Sequence, residues 1–198
     1  CDVGKRLALL SKYFTAMDFF RNIDTTLLYW LNSWAGTSRF WDWTILFRAA
    51  YLWYIVLGAL GLMVAIGLVK FFFRALGFAV QAALSAVVAR LVIVEGIRFL
   101  YERPRPFAAL EGVRKLVENT SSGSFPSGHA ALAFAVAPSV AYYYPKTSIL
   151  FFIAALSIGL GRVAAGVHWP SDIIAGAAVG VVSAWLVRQF LRRIFPSG

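Results

Sequence analysis

The feature that most constrains this sequence is its series of long apolar segments. Five of them lie at about 43–69, 76–100, 127–144, 148–164 and 172–191. A helix needs about 20 apolar residues to cross a membrane, whereas a barrel strand needs only about 10. Backbone groups in lipid must be bonded within helices or closed barrels. The sequence therefore predicts an all-α integral membrane bundle of about five transmembrane helices, with six as the alternative. We expect a single domain over residues 1–198, whose transmembrane bundle covers residues 43–191.

The N-terminal segment, residues 1–40, is more polar than these spans. Residues 4–21 mix basic with apolar side chains, which is typical of an amphipathic helix lying in the membrane interface. A second short helix is predicted from Asp24, a suitable N-cap residue, to Ala35. Trp30 and Trp34 suit the headgroup boundary. We expect this segment to be an anchor rather than a lid over a binding site.

Composition excludes several classes of protein. Hydrophobic residues make up 60% of the chain, against about 45–50% in soluble domains. The net charge of +10 suits anionic lipid headgroups or an anionic substrate, and in such an apolar chain it does not indicate nucleic acid. The single cysteine, Cys1, forms no internal disulfide and makes no metal site.

Polar residues of a particular kind interrupt the apolar pattern at three places. Arginines are followed by a serine, glycine and histidine and then by an arginine, a histidine and a carboxylate. Forked guanidinium donors and a helix N-terminus bind phosphate, and histidine transfers protons and phosphoryl groups. The three clusters are Arg98 with Arg105-Pro106, then Pro126-Ser127-Gly128-His129, then Arg162 with His168 and Asp172.

The order of the spans brings these clusters to one face of the membrane. The second span ends at the first cluster, and the third begins at the second cluster. The fourth ends near Arg162, and the fifth begins at His168–Asp172. Because successive spans alternate in direction, all four places share a face. The motif spacing does not require this, so the hydropathy pattern independently predicts a shared site.

Two further charges, Arg90 and Glu95, lie within the second span. Ionisable residues inside a membrane are functional candidates. Glu95 and Arg98 are three residues apart, so that they face each other on a helix. We expect Glu95 to position Arg98.

On these residues the sequence resembles the type 2 phosphatidic acid phosphatase superfamily of membrane lipid phosphatases. The family signature is Lys-x6-Arg-Pro, then Pro-Ser-Gly-His, then Ser-Arg-x5-His-x3-Asp. The second motif matches fully at residues 126–129. The first has Arg98 in place of the usual Lys, and the third has Gly161 in place of the usual Ser. Both histidines and Asp172 are retained, so we expect activity to survive these departures.

The resemblance implies a role for each matched residue. His168 would be the nucleophile that forms a phosphohistidine, and Asp172 would hold its other ring nitrogen. His129 would be the general acid and then the general base. No metal ion and no other cofactor is implied, since arginines neutralise the phosphate. The residues that would bind the substrate phosphate are Arg98, Arg105, Ser127, Gly128 and Arg162.

The substrate expected from the resemblance is an isoprenoid or glycerolipid phosphate. The small five-span form is most similar to bacterial undecaprenyl-diphosphate phosphatases of the cytoplasmic membrane, whose active site faces outward. Phosphatidylglycerophosphate, phosphatidic acid and lipid A phosphatases are alternatives, as are a lipid phosphotransferase and a non-catalytic lipid-binding protein. Vanadate-dependent haloperoxidases share the residue set but are soluble, so the spans argue against them.

Expected partners are the substrate and membrane lipids, with oligomeric state left open. Basic residues are nearly balanced between the two faces, so the positive-inside rule does not set the orientation.

Overall fold

The structure is a computed structural model that describes residues 18–19, 21–118 and 123–195. The interfacial helix predicted for residues 4–21 lies almost entirely outside the described residues. Every regular element that the described ranges contain is helical. We label the helices α1 (21–32), α2 (Arg39–Lys70), α3 (Phe72–Leu100), α4 (Pro106–Ala109), α5 (Gly128–Tyr143), α6 (Pro145–Ala164) and α7 (Pro170–Ile194).

The five predicted spans correspond to α2, α3, α5, α6 and α7, so the prediction of an all-helical membrane bundle is confirmed. Local sequence explains where several of these helices begin. Proline is the first residue of α4, α6 and α7, where its missing N–H costs no helix bond. The hydroxyl of Ser38 caps α2 by accepting from the Trp41 N–H at 3.3 Å. Two π-helical turns, Phe47–Tyr51 in α2 and Val88–Val94 in α3, interrupt the longest helices.

Four of the helices, α2, α3, α6 and α7, are long and apolar enough to cross a membrane, which makes the protein an integral membrane protein. Helix α5 has 16 residues and a length of about 24 Å. It packs against α3, α6 and α7, and most of its residues are buried. The predicted third span is therefore a short central helix surrounded by the other helices.

Helix α1 packs against the bundle. Leu28 is fully buried with Val163 and Trp169. Asn32 donates to the carbonyl oxygen of Ala164 at 2.7 Å. The prediction that Asp24 caps this helix is wrong, because residues on both sides of it are helical. Its carboxylate is instead used in long-range contacts described below.

Glycines let α5 and α7 approach each other closely. A Cβ atom at Gly176 would lie 2.5 Å from the Ser127 carbonyl oxygen. One at Gly180 would lie 2.7 Å from the Ala135 nitrogen and would also meet the Ala131 carbonyl oxygen. Because these obstacles are backbone atoms, no rotamer change relieves them. Small residues spaced by four are typical of tightly packed membrane helices.

We predict that Gly180→Ala destabilises the protein by about 1–3 kcal/mol, since the added methyl group overpacks the contact between α5 and α7. The matched control is Gly61→Ala in α2, where a Cβ atom meets nothing within 4 Å. This control should be neutral or slightly stabilising, because alanine favours helix by about 0.5–1 kcal/mol over glycine. Thermal unfolding in detergent measures both. Equal melting temperatures for the two variants would contradict the packing argument.

Candidate active site

A buried pair of side chains, His168 and Asp172, lies where the loop after α6 enters α7. The His168 Nδ1 atom is 3.4 Å from one Asp172 carboxylate oxygen, which also accepts the Trp169 N–H at 2.9 Å. The other carboxylate oxygen accepts a bond from the Arg103 guanidinium at 2.7 Å. Asp172 is fully buried and His168 almost so. The imidazole is thus fixed in orientation through the first turn of α7.

The same burial controls the charge of His168. Burial lowers its pKa to about 4, although the hydrogen bond to Asp172 acts in the opposite direction. The ring is therefore neutral at pH 7. With Nδ1–H directed at Asp172, the lone pair of Nε2 is available to a substrate. A neutral imidazole held in this tautomer has the properties of a nucleophile.

Two buried arginines surround this pair. Arg105 donates to the carbonyl oxygen of Val167, the residue before His168, at 2.7 Å. Burial lowers the pKa of Arg105 to about 10, so it remains cationic at pH 7. Arg162, at the end of α6, donates to the carbonyl oxygen of Ala49 at 3.3 Å. Its Nε–H has no hydrogen-bond partner within the part of the chain that the structure describes.

Arg98 connects the end of α3 to the segment that precedes α5. Its guanidinium donates to the carbonyl oxygen of Pro126 at 3.0 Å. Glu95 lies 3.7 Å from Arg98, as its predicted positioning role requires, but it contacts Arg90 more closely. Glu95 thus bridges two arginines rather than serving one.

The N-terminus of α5 is fixed to the start of α7. The N–H of Ser127 donates to the Asp172 carbonyl oxygen at 3.0 Å, and its hydroxyl accepts the Ala130 N–H at 3.5 Å as an N-cap. Gly128 opens the helix, so its N–H is one of the first-turn donors that no helical carbonyl uses. A Cβ atom here would lie 2.7 Å from Arg90 Nε. The glycine therefore lets a further cation, which the motifs did not single out, reach the end of α5.

His129 follows in the first turn of α5 and is partly buried. It lies close enough to Arg162 and His168 to interact with them electrostatically. The contacts above thus bring the predicted site residues together at one end of the bundle, as the order of the spans predicted. These residues are Arg98, Arg105, Ser127, Gly128, His129, Arg162, His168 and Asp172.

Sequence reasoning missed a second layer, formed by Arg103 and Asp24. Arg103 bonds Asp172 at 2.7 Å and Asp24 of α1 at 2.8 Å, and it stacks on the Trp169 ring at 4.9 Å. The Asp24 carboxylate also accepts the Ser171 N–H at 2.8 Å. Two Arg-Pro pairs stand side by side at residues 103–106, and only the second was assigned to the site. That repeat was the available signal for Arg103, whereas no local pattern pointed to Asp24.

The structure also gives a reason for the glycine at position 161. A Cβ atom there would lie 2.7 Å from Arg48 Cβ and 2.9 Å from the Ala49 nitrogen, in the π-helical turn of α2. The next residue, Arg162, bonds the carbonyl oxygen of that same Ala49. The missing side chain thus lets α2 approach α6 where a site arginine is held.

Comparison with known proteins identifies the family of this chain. The family model described as the PAP2 superfamily matches residues 78–196, and the chain therefore belongs to that superfamily. The chain is 36% identical over 108 residues to the bacitracin transport permease protein BcrC of Bacillus licheniformis, covering 54% of this chain and 53% of that one. It is 31% identical over 109 residues to the undecaprenyl-diphosphatase BcrC of Bacillus subtilis, covering 55% and 56%. The chain thus spans about half the length of these relatives.

Other relatives and solved structures extend the comparison. Relatives named phosphatidylglycerophosphatase B and lipid A 4'-phosphatase also match. The crystal structure of a transmembrane PAP2 type phosphatidylglycerolphosphate phosphatase from Bacillus subtilis superposes with a TM-score of 0.68 at 21% identity. It covers 90% of this chain and 89% of that one. At this identity the superposition supports the fold alone.

We predict that the two substitutions that restore the usual residues of the family differ in effect, one being harmful and the other mild. Gly161→Ser should destabilise the protein by about 1–3 kcal/mol and lower activity, because the new side chain meets α2. Arg98→Lys keeps the cation and should change activity by less than about tenfold. Arg98→Ala removes the cation and should lower activity by more than that. Thermal unfolding and phosphate release from a lipid phosphate measure both effects. A fully stable and active Gly161→Ser variant would contradict the assigned contact with α2.

Proposed function

We propose that this chain hydrolyses a membrane lipid phosphate or diphosphate through a phosphohistidine on His168. The observation that carries the proposal is a buried imidazole, oriented by Asp172, that lies near buried arginines and a helix N-terminus. Cations and N–H donors stabilise a transferring phosphoryl group, and an oriented imidazole supplies the nucleophile.

The reaction has two steps. In the first, His129 enters as the imidazolium, a form that the adjacent phosphate anion favours. His168 Nε2 attacks the phosphorus atom, the bond to the leaving oxygen breaks, and His129 gives that oxygen its proton and becomes neutral. In the second, His129 takes a proton from water, the water oxygen attacks phosphorus, and the P–N bond breaks to release inorganic phosphate. Asp172 keeps Nδ1 protonated throughout and balances the positive charge on the ring when the P–N bond is present.

Three arginines and the start of α5 bind the phosphate in this mechanism. Arg98, Arg105 and Arg162 neutralise its oxygens, and the unpartnered Nε–H of Arg162 is a donor suited to one of them. The Gly128 N–H and the Ser127 hydroxyl add donors where the helix dipole favours an anion. Because these groups do the electrostatic work, the reaction requires no metal ion.

Undecaprenyl diphosphate is the proposed substrate, with undecaprenyl phosphate as product. The name of the relative from Bacillus subtilis supports it, and so does a site at the ends of membrane-spanning helices, where a lipid headgroup lies. We place the protein in a bacterial cytoplasmic membrane with the site on the extracytoplasmic face. Phosphatidylglycerophosphate, phosphatidic acid and lipid A are the competing substrates. A phosphotransferase, which passes the phosphoryl group to an alcohol instead of water, is the competing reaction.

The test is phosphate release by purified protein in detergent with EDTA, using undecaprenyl diphosphate, phosphatidylglycerophosphate, phosphatidic acid and lipid A in parallel. We expect metal-independent release that is fastest from undecaprenyl diphosphate. His168→Ala should lower the rate by at least about a thousandfold, because it removes the nucleophile. His129→Ala should lower it by about 10²–10⁴-fold, as loss of a general acid does.

Thermal unfolding of each variant provides the control for folding. A folded His168→Ala protein that keeps its rate would overturn the phosphohistidine mechanism. If phosphate is released only after an acceptor alcohol is added, the chain is a transferase. Fastest release from another lipid would leave the mechanism in place and replace the substrate.

Arg103 and Asp24 enter the proposal as positioning residues. Arg103 shares the Asp172 carboxylate with His168, and Asp24 holds Arg103 from the other side. Neither residue needs to touch the substrate for this role. Their effect acts through the orientation of Asp172 and hence of the imidazole.

We predict that Arg103→Gln lowers kcat by at least about tenfold, which is about 1.4 kcal/mol of transition-state stabilisation, while KM changes little. Arg103→Lys should recover part of the loss, and the matched control Arg39→Gln, at an exposed arginine that begins α2, should have no effect. Asp24→Asn should act in the same direction, and its effect should not add to that of Arg103→Gln because both belong to one network. A rise in KM at constant kcat would contradict the positioning role and assign Arg103 to substrate binding.

A further inference from the structure

A cationic cavity lies at the opposite end of the bundle from the candidate active site. It has a volume of about 830 Å³ and lies between the N-terminal part of α3 and the C-terminal end of α7. Asp172 and Arg188 are 16 residues apart on α7, which corresponds to about 24 Å along the helix. The cavity is therefore separate from the site at the other face. Its walls are formed mainly by Phe73, Leu76, Val80, Tyr143, Arg188 and Arg192.

Arg188 makes several contacts in this cavity. Its guanidinium stacks on the rings of Tyr142 and Tyr143, at 5.3 and 4.9 Å, and donates to the Tyr143 hydroxyl at 2.9 Å. The Nε–H of Arg188 is buried and has no hydrogen-bond partner among the residues that the structure describes. Arg192 follows one helical turn later and is exposed. Two forked donors thus stand on the same side of α7, and one of them has an unused N–H.

No carboxylate of the described residues pairs with these arginines. The sequence contains no Asp or Glu from 43 to 94, from 119 to 171 or from 173 to 198, the ranges that contain the described helix ends on this side of the bundle. Basic side chains are abundant there, and an external anion would balance their charge. A second copy of the chain would bring the same positive charge to the contact. The basic residues of this end are Lys70, Arg74, Lys146, Arg188, Arg192 and Arg193.

Apolar side chains surround the same arginines. Phe73, in α3, and Phe195, the residue after the end of α7, line the cavity and are 86% and 71% exposed. A free phosphate ion covers none of this apolar surface. An anionic phospholipid covers both the arginines and the apolar surface, with its phosphate on the arginines and an acyl chain along the groove between α3 and α7.

We propose that this cavity binds an anionic phospholipid of the membrane leaflet opposite the active site. Arg188 and Arg192 hold the headgroup phosphate, and the walls formed by α3 and α7 hold one acyl chain. The proposal is independent of the reaction assigned to the other face.

The test is native mass spectrometry of the detergent-purified protein with dioleoyl phosphatidylglycerol and, separately, with dioleoyl phosphatidylcholine, which has the same chains and no net charge. We expect phosphatidylglycerol adducts to exceed phosphatidylcholine adducts by at least about fivefold. Arg192→Gln should reduce phosphatidylglycerol binding by about fivefold. The matched control is Arg193→Gln, the same charge change at the adjacent exposed residue, which does not line the cavity and should reduce binding by less than about twofold. Leu76→Trp, which fills the apolar part and leaves every charge in place, should also reduce binding.

Each alternative gives a different result and would overturn the proposal. Equal effects of the two arginine variants would mean a diffuse basic surface. Equal retention of the two lipids would mean an apolar groove without headgroup recognition. Displacement of the lipid by millimolar inorganic phosphate would mean a site for a soluble anion, and a dimer mass without lipid would mean an interface between copies. Melting temperatures of the variants separate loss of binding from loss of folding.

Discussion

The buried carboxylate of Asp172 is the group on which the functional end of this molecule depends. An ionised carboxylate without partners inside an apolar bundle would cost several kcal/mol. Here it receives the Trp169 N–H and the Arg103 guanidinium, and it faces His168. Its own backbone carbonyl accepts the Ser127 N–H. Asp172 therefore joins the loop after α3 to the beginning of α7 through its carboxylate, and it holds the beginning of α5 through its backbone carbonyl, which is the geometry that a phosphate site requires.

Helix α1 extends the same network. Asp24 pairs with Arg103, so that the Arg103 guanidinium lies between two carboxylates, that of Asp24 on α1 and that of Asp172 on α7. Each side of the guanidinium therefore has a negatively charged partner. Removing its central cation would leave two carboxylates close together, whereas removing Asp24 would leave Arg103 still paired with Asp172. The network therefore explains why a segment that the sequence assigns to the membrane interface is packed against the bundle.

The parts of this structure that the sequence predicted are those that depend on local pattern. Runs of apolar residues located α2, α3, α5, α6 and α7 with every boundary within four residues, and alternation of the spans brought the motifs to one face. Asp24 shows the limit: beside Thr25 and Thr26 it has the local appearance of an N-cap, but its partners are 79 and 147 residues away. A long-range ion pair leaves no periodicity in the sequence. The reason for a glycine at position 161 is likewise a long-range contact, because a side chain there would collide with the π-helical turn of α2.

The distribution of acidic residues separates two kinds of arginine in this protein. Near the candidate active site, Arg90, Arg98 and Arg103 contact Glu95, Asp24 or Asp172, whereas Arg105 and Arg162 donate to backbone carbonyl groups, so that only part of the positive charge there is balanced before a substrate arrives. Arginines at the other end contact tyrosine rings, a tyrosine hydroxyl and a backbone carbonyl, which orient a guanidinium without neutralising it. A site that must release its product benefits from partial neutralisation, because a fully uncompensated set of arginines would hold inorganic phosphate too tightly. An uncompensated set suits an anion that stays bound, and this difference follows from where nine carboxylates stand in the sequence.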